Sequence, residues 1–369
     1  MRVLIAPDKF KESLTAREVA SAIRAGFHSI FPEANFDIVP VADGGEGTAE
    51  IFLEALGGSR IEIGIHDARG RLVSASYSRV SGRELSVIDM SSASGLWRLA
   101  EAERDPSRAS TLGTGELMAD AVSHGAKHLI VGLGGSATND AGVGMATALG
   151  WKFLDEQEQP VSCCPAEFLR IRQIVPPETQ LPCKVIGLCD VKNPLLGELG
   201  ATRVFGPQKG ATSEMLTSLE ESLSHLARLC REQFGSDYST TPGAGAAGGL
   251  GFGLLAFCQA SLESGFQAVA RLMDLESKAA NADLVITGEG RLDAQSLQGK
   301  APYEIARLAR RHGKPVIGFA GLVQEDLSEF DACVPIANGP LTLDESRRRA
   351  TDLLRAAAAR TARLLRITL

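Results

Sequence analysis

The stretch MRVLIAPDKFKESLTAREVASAIRAGFHSI, residues 1–30, spells a strand, a loop and a capped helix. Arg2–Ala6 is a short apolar run. Thr15 and Glu18 stand at the spacing of a capping box, and Val19, Ala20, Ile23, Phe27 and Ile30 follow on one helical face. Phe36–Ala42 repeats the strand pattern. Thr48–Leu56 repeats the helix pattern and is stopped by Gly57-Gly58. The opening of the chain is therefore βαβα.

Further along the texture changes. Arg60–His66, Arg71–Val80 and Glu84–Met90 are short β-rich runs separated by turn residues, which predicts antiparallel pairing. Alternation returns with a helix at Gly115–His124, a strand at His128–Leu133, a helix at Ala141–Leu149 and a strand at Lys184–Cys189. A helix carrying Leu216, Leu219, Leu223, Leu226 and Cys230 on one face ends near Gly235. The last section is again α/β: strands at Asp283–Thr287, Pro315–Ala320 and Ala332–Ile336, a helix at Pro302–Arg311, and a C-terminal helix with Leu353, Leu354, Ala357, Ala358, Leu364 and Leu365 on one face. The pattern predicts two α/β domains. Both chain ends, 1–59 plus 280–369, form a Rossmann-like parallel-sheet domain. Residues 60–279 form an inserted mixed α/β domain, with the active site in the cleft between the two.

Composition narrows the function. The chain has 369 residues, 22% charged and 44% hydrophobic, which is ordinary for a globular protein. Its net charge of −7 argues against a protein that neutralises nucleic-acid phosphates. Residues 238–262 carry no charge, but Pro242, six glycines and a polar first half argue against a membrane span. The seven cysteines, at 163, 164, 183, 189, 230, 258 and 333, form no C-x-x-C pair and are expected to be buried free thiols in a reducing cytoplasm.

One motif recurs: a strand, then a loop of Gly, Asp, Lys and small hydroxyl residues, then a helix. It occurs at APDKFKES (6–13), ADGGEGT (42–48), GLGGSATND (132–140) and TGEGRLDAQSLQGK (287–300). CDVKNPLLGELGA (189–201) and FGPQKGA (205–211) are similar. Loops at the carboxyl ends of parallel strands form ligand crevices, and main-chain N–H groups at a following helix start attract anions. These loops hold the carboxylates Asp8, Asp43, Glu46, Asp140, Asp190, Glu289 and Asp293 and the cations Lys9, Lys11, Lys192, Lys209, Arg291 and Lys300. Phosphoryl transfer uses such a mixture: carboxylates for hydrated Mg²⁺ and for the hydroxyl proton, cations for charge on the transferred group. No Walker loop is present. Gly243, Gly245 and Gly248 match G-x-G-x-x-G but follow Ser-Thr-Thr-Pro instead of a strand, and close packing explains them equally well. His124 and His128 have i,i+4 spacing, but Gly125 between them ends the helix, so zinc ligation is not supported, and no G-x-S-x-G occurs.

At these loops the sequence resembles the bacterial glycerate kinases that lack a Walker loop. The resemblance covers essentially the whole chain, and also rests on LGTGE (112–116) and PGAGAAGGLG (242–251). Lys9 stands where many members have Ser, and Gln298 where His or Asn is frequent. The resemblance implies ATP- and Mg²⁺-dependent phosphorylation of D-glycerate in glycerate catabolism, with 2-phosphoglycerate the expected product. Asp190 and Asp293 are the candidates for metal ligand or general base, with Glu289 a second metal candidate and Lys300 a phosphate contact. Asp8, Lys11, Asp43 and Arg291 are the candidate glycerate contacts. Gly134, Gly135, Ser136, Thr138, Asn139, Lys209, Gly288 and Gly290 are the candidate nucleotide contacts. A kinase of another hydroxy acid, a hydroxy-acid dehydrogenase and a non-catalytic sensor are the rival readings.

Overall fold

A computed structural model describes residues 1–10, 13–41, 44–293, 300–324 and 327–368. Its strands, in chain order, are β1 Arg2–Ile5, β2 Asn35–Ile38, β3 Gly58–His66, β4 Leu72–Val80, β5 Leu85–Asp89, β6 His128–Gly132, β7 Lys152–Leu154, β8 Gln173–Val175, β9 Lys184–Leu188, β10 Ser261–Glu263, β11 Leu284–Leu292, β12 Val316–Val323 and β13 Ala332–Pro335. The chain folds as two compact α/β units. One comprises residues 1–43 and 266–369, the other residues 44–265.

The first unit is built on a five-stranded sheet of order β13-β12-β11-β1-β2. Every pair in it is parallel. The two chain ends share this sheet, as the α/β texture at both ends predicts. Thr15 caps helix Ala16–His28, and both arms of its capping box with Glu18 are present. That helix and the C-terminal helix Ala350–Thr368 bury Val19, Ile23, Phe27, Leu353, Leu354 and Ala358 against Val3, Ile5, Leu284, Ile286 and Phe319, with Leu365 partly buried beside them, whereas Leu364, expected on the same face, is exposed. Helix Ala301–Arg311 packs on β11 and β12. Two strand ends differ from the sequence reading. β2 is shorter, yet Val39 and Val41 still donate to the Ile5 and Pro7 carbonyls, both at 2.9 Å. Pro40 has no N–H to give. β11 runs on to Leu292, because β12 supplies ladder partners as far as Leu292↔Val323. The segment Gly288–Arg291, expected to be loop, is therefore strand.

The second unit holds a six-stranded sheet of order β10-β9-β6-β5-β4-β3. β3, β4 and β5 pair antiparallel, as expected, while β5, β6, β9 and β10 run parallel. A hairpin of β7 and β8 lies apart. Against the expected joins at 59/60 and 279/280, the units divide after residues 43 and 265. Helix Thr48–Leu56 belongs with the second unit because the Asp89 carboxylate, at the end of β5, accepts from Gly47 N–H (2.9 Å) and Ala49 N–H (3.0 Å) at the helix start. Helix Ser213–Phe234 ends at Gly235, as read. Trp151, Phe153, Phe234 and Phe257 form an aromatic cluster in this unit. Among the described residues no disulfide is formed. Only Cys230 and Cys258 are fully buried, so the expectation of buried thiols fails for the other five, which are partly exposed. No helix among the described residues is long and apolar enough to cross a membrane.

Two features hold the loop after β6 in place. The glycine-rich helix Ala246–Cys258 presses against it, as close packing anticipated: Ala141 N–H donates to the Gly248 carbonyl at 3.0 Å. Gly248 has φ +67°, and a Cβ there would lie 1.8 Å from the Thr138 carbonyl oxygen. Lys209, 1% exposed, also reaches this loop and donates from Nζ to the Thr138 carbonyl at 2.7 Å. Burial pushes the Lys209 ammonium down to about 7, against the opposing pull of the Asp140 charge.

Gly248→Ala should therefore cost roughly 2–5 kcal/mol, combining left-handed strain with overpacking. Gly235 also has positive φ but nothing within 4 Å. Gly235→Ala should cost only about 1–2 kcal/mol. Urea titrations of the two variants check the difference, and equal losses would mean that the helix does not press on the loop. Lys209 sets a pH dependence. Between pH 7 and 10.5 the unfolded chain holds a proton that the folded chain has lost, so this group's contribution to stability rises with pH across that window. The stability of wild type relative to Lys209→Met should climb from pH 7 to 9.5 by up to about 1.4 kcal/mol per pH unit. A flat difference would place the ammonium in solvent.

Candidate active site

In the first unit the chain goes from β1 to β2 on one side, while β11 lies on the other. Strand order thus reverses between β1 and β11, the position where parallel α/β sheets open a crevice at the carboxyl ends of their strands. Asp8 N–H donates to the Gly288 carbonyl at 2.9 Å, and Thr287 Oγ1 donates to the Ala6 carbonyl at 2.7 Å. These bonds seat the loop after β1 beside the end of β11. Asp8, Gly288, Glu289, Gly290, Arg291, Asp293 and Lys300 are accordingly brought to one end of one sheet. Lys11 and Asp43 lie outside the described residues.

Two ion pairs organise this end. Lys300 Nζ lies 3.1 Å from Glu289 Oε2, and Arg291 Nε lies 2.8 Å from Asp293 Oδ2. Arg291 also bonds Gln324 through Nη2. Both carboxylates are largely enclosed, Glu289 at 8% and Asp293 at 7% exposure, whereas their cations reach solvent. Lys300 is the N-cap residue of helix Ala301–Arg311, with Pro in the first turn as read. Its ammonium therefore sits where the helix start already favours negative charge. Gly288 is strand. A Cβ there would fall 2.4 Å from the Phe319 carbonyl, so close approach of β12 accounts for this glycine without a ligand.

In the second unit the loops after β6 and β9 leave neighbouring parallel strands. Asp190 follows β9, and its Oδ1 accepts from Ser264 Oγ (2.6 Å) and Gly265 N–H (3.1 Å), just past the end of β10. Gly134, Gly135 and Ser136 follow β6. Gly134 approaches the Gly44-Gly45 turn so closely that a Cβ would lie 2.4 Å from Gly45 Cα. Main-chain bonds run from Leu96 N–H to the Gly135 carbonyl and from Ala137 N–H to the Ser94 carbonyl, both at 2.9 Å. Thr138 and Asn139, later in the same loop, and Lys209, which bonds to it, are buried. Asn139 Nδ2 donates to Thr202 Oγ1 at 3.0 Å.

Asp140, one of the loop carboxylates, is fully buried. It accepts from Thr111 N–H (2.7 Å), Thr111 Oγ1 (2.8 Å), Gly142 N–H (3.2 Å) and Gly144 N–H (3.2 Å). Burial raises its carboxyl above the usual range, and the Thr111, Gly144 and Gly142 bonds oppose that rise. Asp140 ties the loop to the start of helix Leu112–Ser123. Asp89 does the same for the Gly44–Gly47 turn, a role absent from the sequence reading. Its signal was an Asp ending the apolar run SVID (86–89).

The carboxylates thus divide into scaffolding groups, Asp89 and Asp140, and groups held at strand ends, Asp190, Glu289 and Asp293. Among the described residues no three His, Cys, Asp or Glu side chains form a metal-holding group. One or two carboxylates with the rest of the shell from water and phosphate is the pattern Mg²⁺ uses, and single strand-end carboxylates fit it.

The model of the glycerate kinase family matches residues 3–366. The chain is 42% identical to the glycerate 2-kinase of Escherichia coli (strain K12), covering 95% of this chain and 94% of that one. It is 41% identical to the glycerate kinase of Halalkalibacterium halodurans, over 96% of each chain. A crystal structure from Salmonella typhimurium LT2, assigned as glycerate kinase 2, superposes with a TM-score of 0.88 at 40% identity, over 100% of this chain and 99% of that one. On the strength of a match that runs almost from end to end in sequence and in fold, the chain belongs to the glycerate kinase family.

Proposed function

We infer that the chain transfers the γ-phosphoryl group of ATP to D-glycerate with Mg²⁺, giving 2-phosphoglycerate, as a step of organic-acid catabolism in the cytoplasm, where ATP and Mg²⁺ are supplied. The observation that carries this reading is the strand-end pair of enclosed carboxylates, Glu289 and Asp293, each bonded to a cation that reaches solvent. Such a set supplies a proton acceptor and charge compensation in one crevice, the two needs of phosphoryl transfer to a hydroxyl.

In this reading Asp293 takes the proton of the attacking hydroxyl, with its carboxylate oriented by Arg291 Nε. Lys300 compensates charge on the transferred group. Arg291 and Lys11 hold the glycerate carboxylate, and Asp8 and Asp43 accept from its hydroxyls. Gly135 and Ser136 offer main-chain N–H groups to the nucleotide phosphates, while the Gly134 N–H is given to the Gly44 carbonyl at 3.3 Å. Asp190 and Glu289 are the carboxylates proposed for Mg²⁺, which would supply neutralisation of the phosphate oxygens.

The purified chain should release ADP in the presence of D-glycerate, and chelation of Mg²⁺ should abolish the release. NMR of the product should show phosphate on the 2-position. ADP release no faster with D-glycerate than without it would overturn the reading, and faster turnover of another acid in a hydroxy-acid panel would change the substrate. Lys300→Met should lower kcat roughly 10²–10³-fold while KM for glycerate moves about threefold or less. Asp293→Asn should lower kcat roughly 10²–10⁴-fold. Near wild-type kinetics in either variant would remove that residue from the chemistry.

A further inference from the structure

Trp97 stands out among the exposed side chains of the second unit. It is 58% exposed, yet its indole is fixed. Nε1 donates to the Ser91 carbonyl at 3.0 Å. The Arg98 guanidinium lies over the ring, 4.6 Å from its centroid. That guanidinium is itself anchored, donating from Nε to the Ser92 carbonyl (2.7 Å) and from Nη2 to the Ser74 carbonyl (2.9 Å). One face of the indole is thus backed by a held cation, and much of the ring remains open to water. A large aromatic surface kept rigid and wet is prepared to stack.

The place of this ring identifies what stacks on it. Trp97 sits in the turn Leu96–Arg98 that follows β5. Main-chain contacts strap this turn to the loop after β6: Leu96 N–H to the Gly135 carbonyl, Ala137 N–H to the Ser94 carbonyl, and a bridge between Gly95 and Ser136. The turn that carries the indole therefore adjoins the loop Gly134–Ser136. We propose that Trp97 is the platform for the purine ring of the nucleotide, whose phosphates lie on Gly134–Ser136. This rests on the reading of the chain as an ATP-dependent kinase. Glycerate has no flat or apolar surface to place on an indole, whereas a purine joined to phosphates has both parts at suitable separation. The guanidinium behind the ring strengthens the stack on its open face.

The sequence holds two tryptophans, and the other, Trp151, packs against Phe234 and Phe257. Trp151→Phe therefore leaves Trp97 as the one emitter. ADP titrated into this variant should quench its fluorescence with saturation, and D-glycerate alone should not. In the turnover assay Trp97→Ala should raise KM for ATP roughly 10- to 100-fold, the range expected for loss of one base–aromatic stack. KM for glycerate and kcat should stay within about twofold, and Trp97→Phe should recover most of the loss. Fluorescence unmoved by ADP, or an unchanged KM for ATP in Trp97→Ala, overturns the platform while leaving the kinase reading intact. Absence of glycerate-dependent ADP release in wild type overturns the kinase reading instead, and the ADP titration still decides whether Trp97 carries a base.

Discussion

Strand β1 has one of its two sheet partners at the far end of the chain. Val3, Leu4 and Ile5 pair in parallel with Leu284, Val285 and Ile286, and Thr287 Oγ1 closes on the Ala6 carbonyl 281 residues away. The first unit depends on this ladder. Without it β2 would have no sheet to join, and the helices Ala16–His28 and Ala350–Thr368 would lose the apolar face they cover. The candidate chemistry depends on it too, because the loop bearing Asp8 meets the end of β11 only through that register. Closing so long a loop costs entropy that grows slowly with length, so the pairing is affordable in stability. It places much of the unit's assembly late, after the intervening chain has been made.

The second unit solves a different problem, the support of irregular loops at the ends of parallel strands. A loop rich in glycine leaves main-chain polar groups that must be bonded when buried. Asp140 and Asp89 serve as fixed acceptors for N–H groups of their neighbours, and Lys209 as a fixed donor to Thr138. Asp140 and Lys209 hold the loop after β6, and Asp89 holds the Gly44–Gly47 turn that packs against it. Gly134–Ser136 is thereby kept in one shape, a condition for preorganised anion binding.

Local signals in the sequence are legible where local physics decides the structure. The Thr15–Glu18 capping box forms as spelled, the β-rich runs after residue 58 pair antiparallel, and helix Ser213–Phe234 stops at its glycine. The glycines of 243–253 serve packing. What stayed hidden depends on partners distant in sequence. β11 extends through Gly288–Leu292 because β12 lies beside it, although glycines and charges there resemble a loop. Lys209 looked like a ligand-facing cation and is buried under Thr138. Helix Thr48–Leu56 joins the second unit because Asp89, forty residues on, caps it. Composition marked the loops that carry charge. It did not distinguish a carboxylate that fastens a turn from one held at a strand end.

Amide hydrogen exchange of the intact chain, with and without D-glycerate and a non-hydrolysable ATP analogue, asks whether the strand-end loops of each unit bind the ligands. Peptides spanning residues 5–10, 284–293 and 132–140 should exchange more slowly with both ligands present, while those of β3 and β4 should not change. Protection confined to β3, β4 or the β7–β8 hairpin, with the strand-end peptides unaltered, would contradict the account.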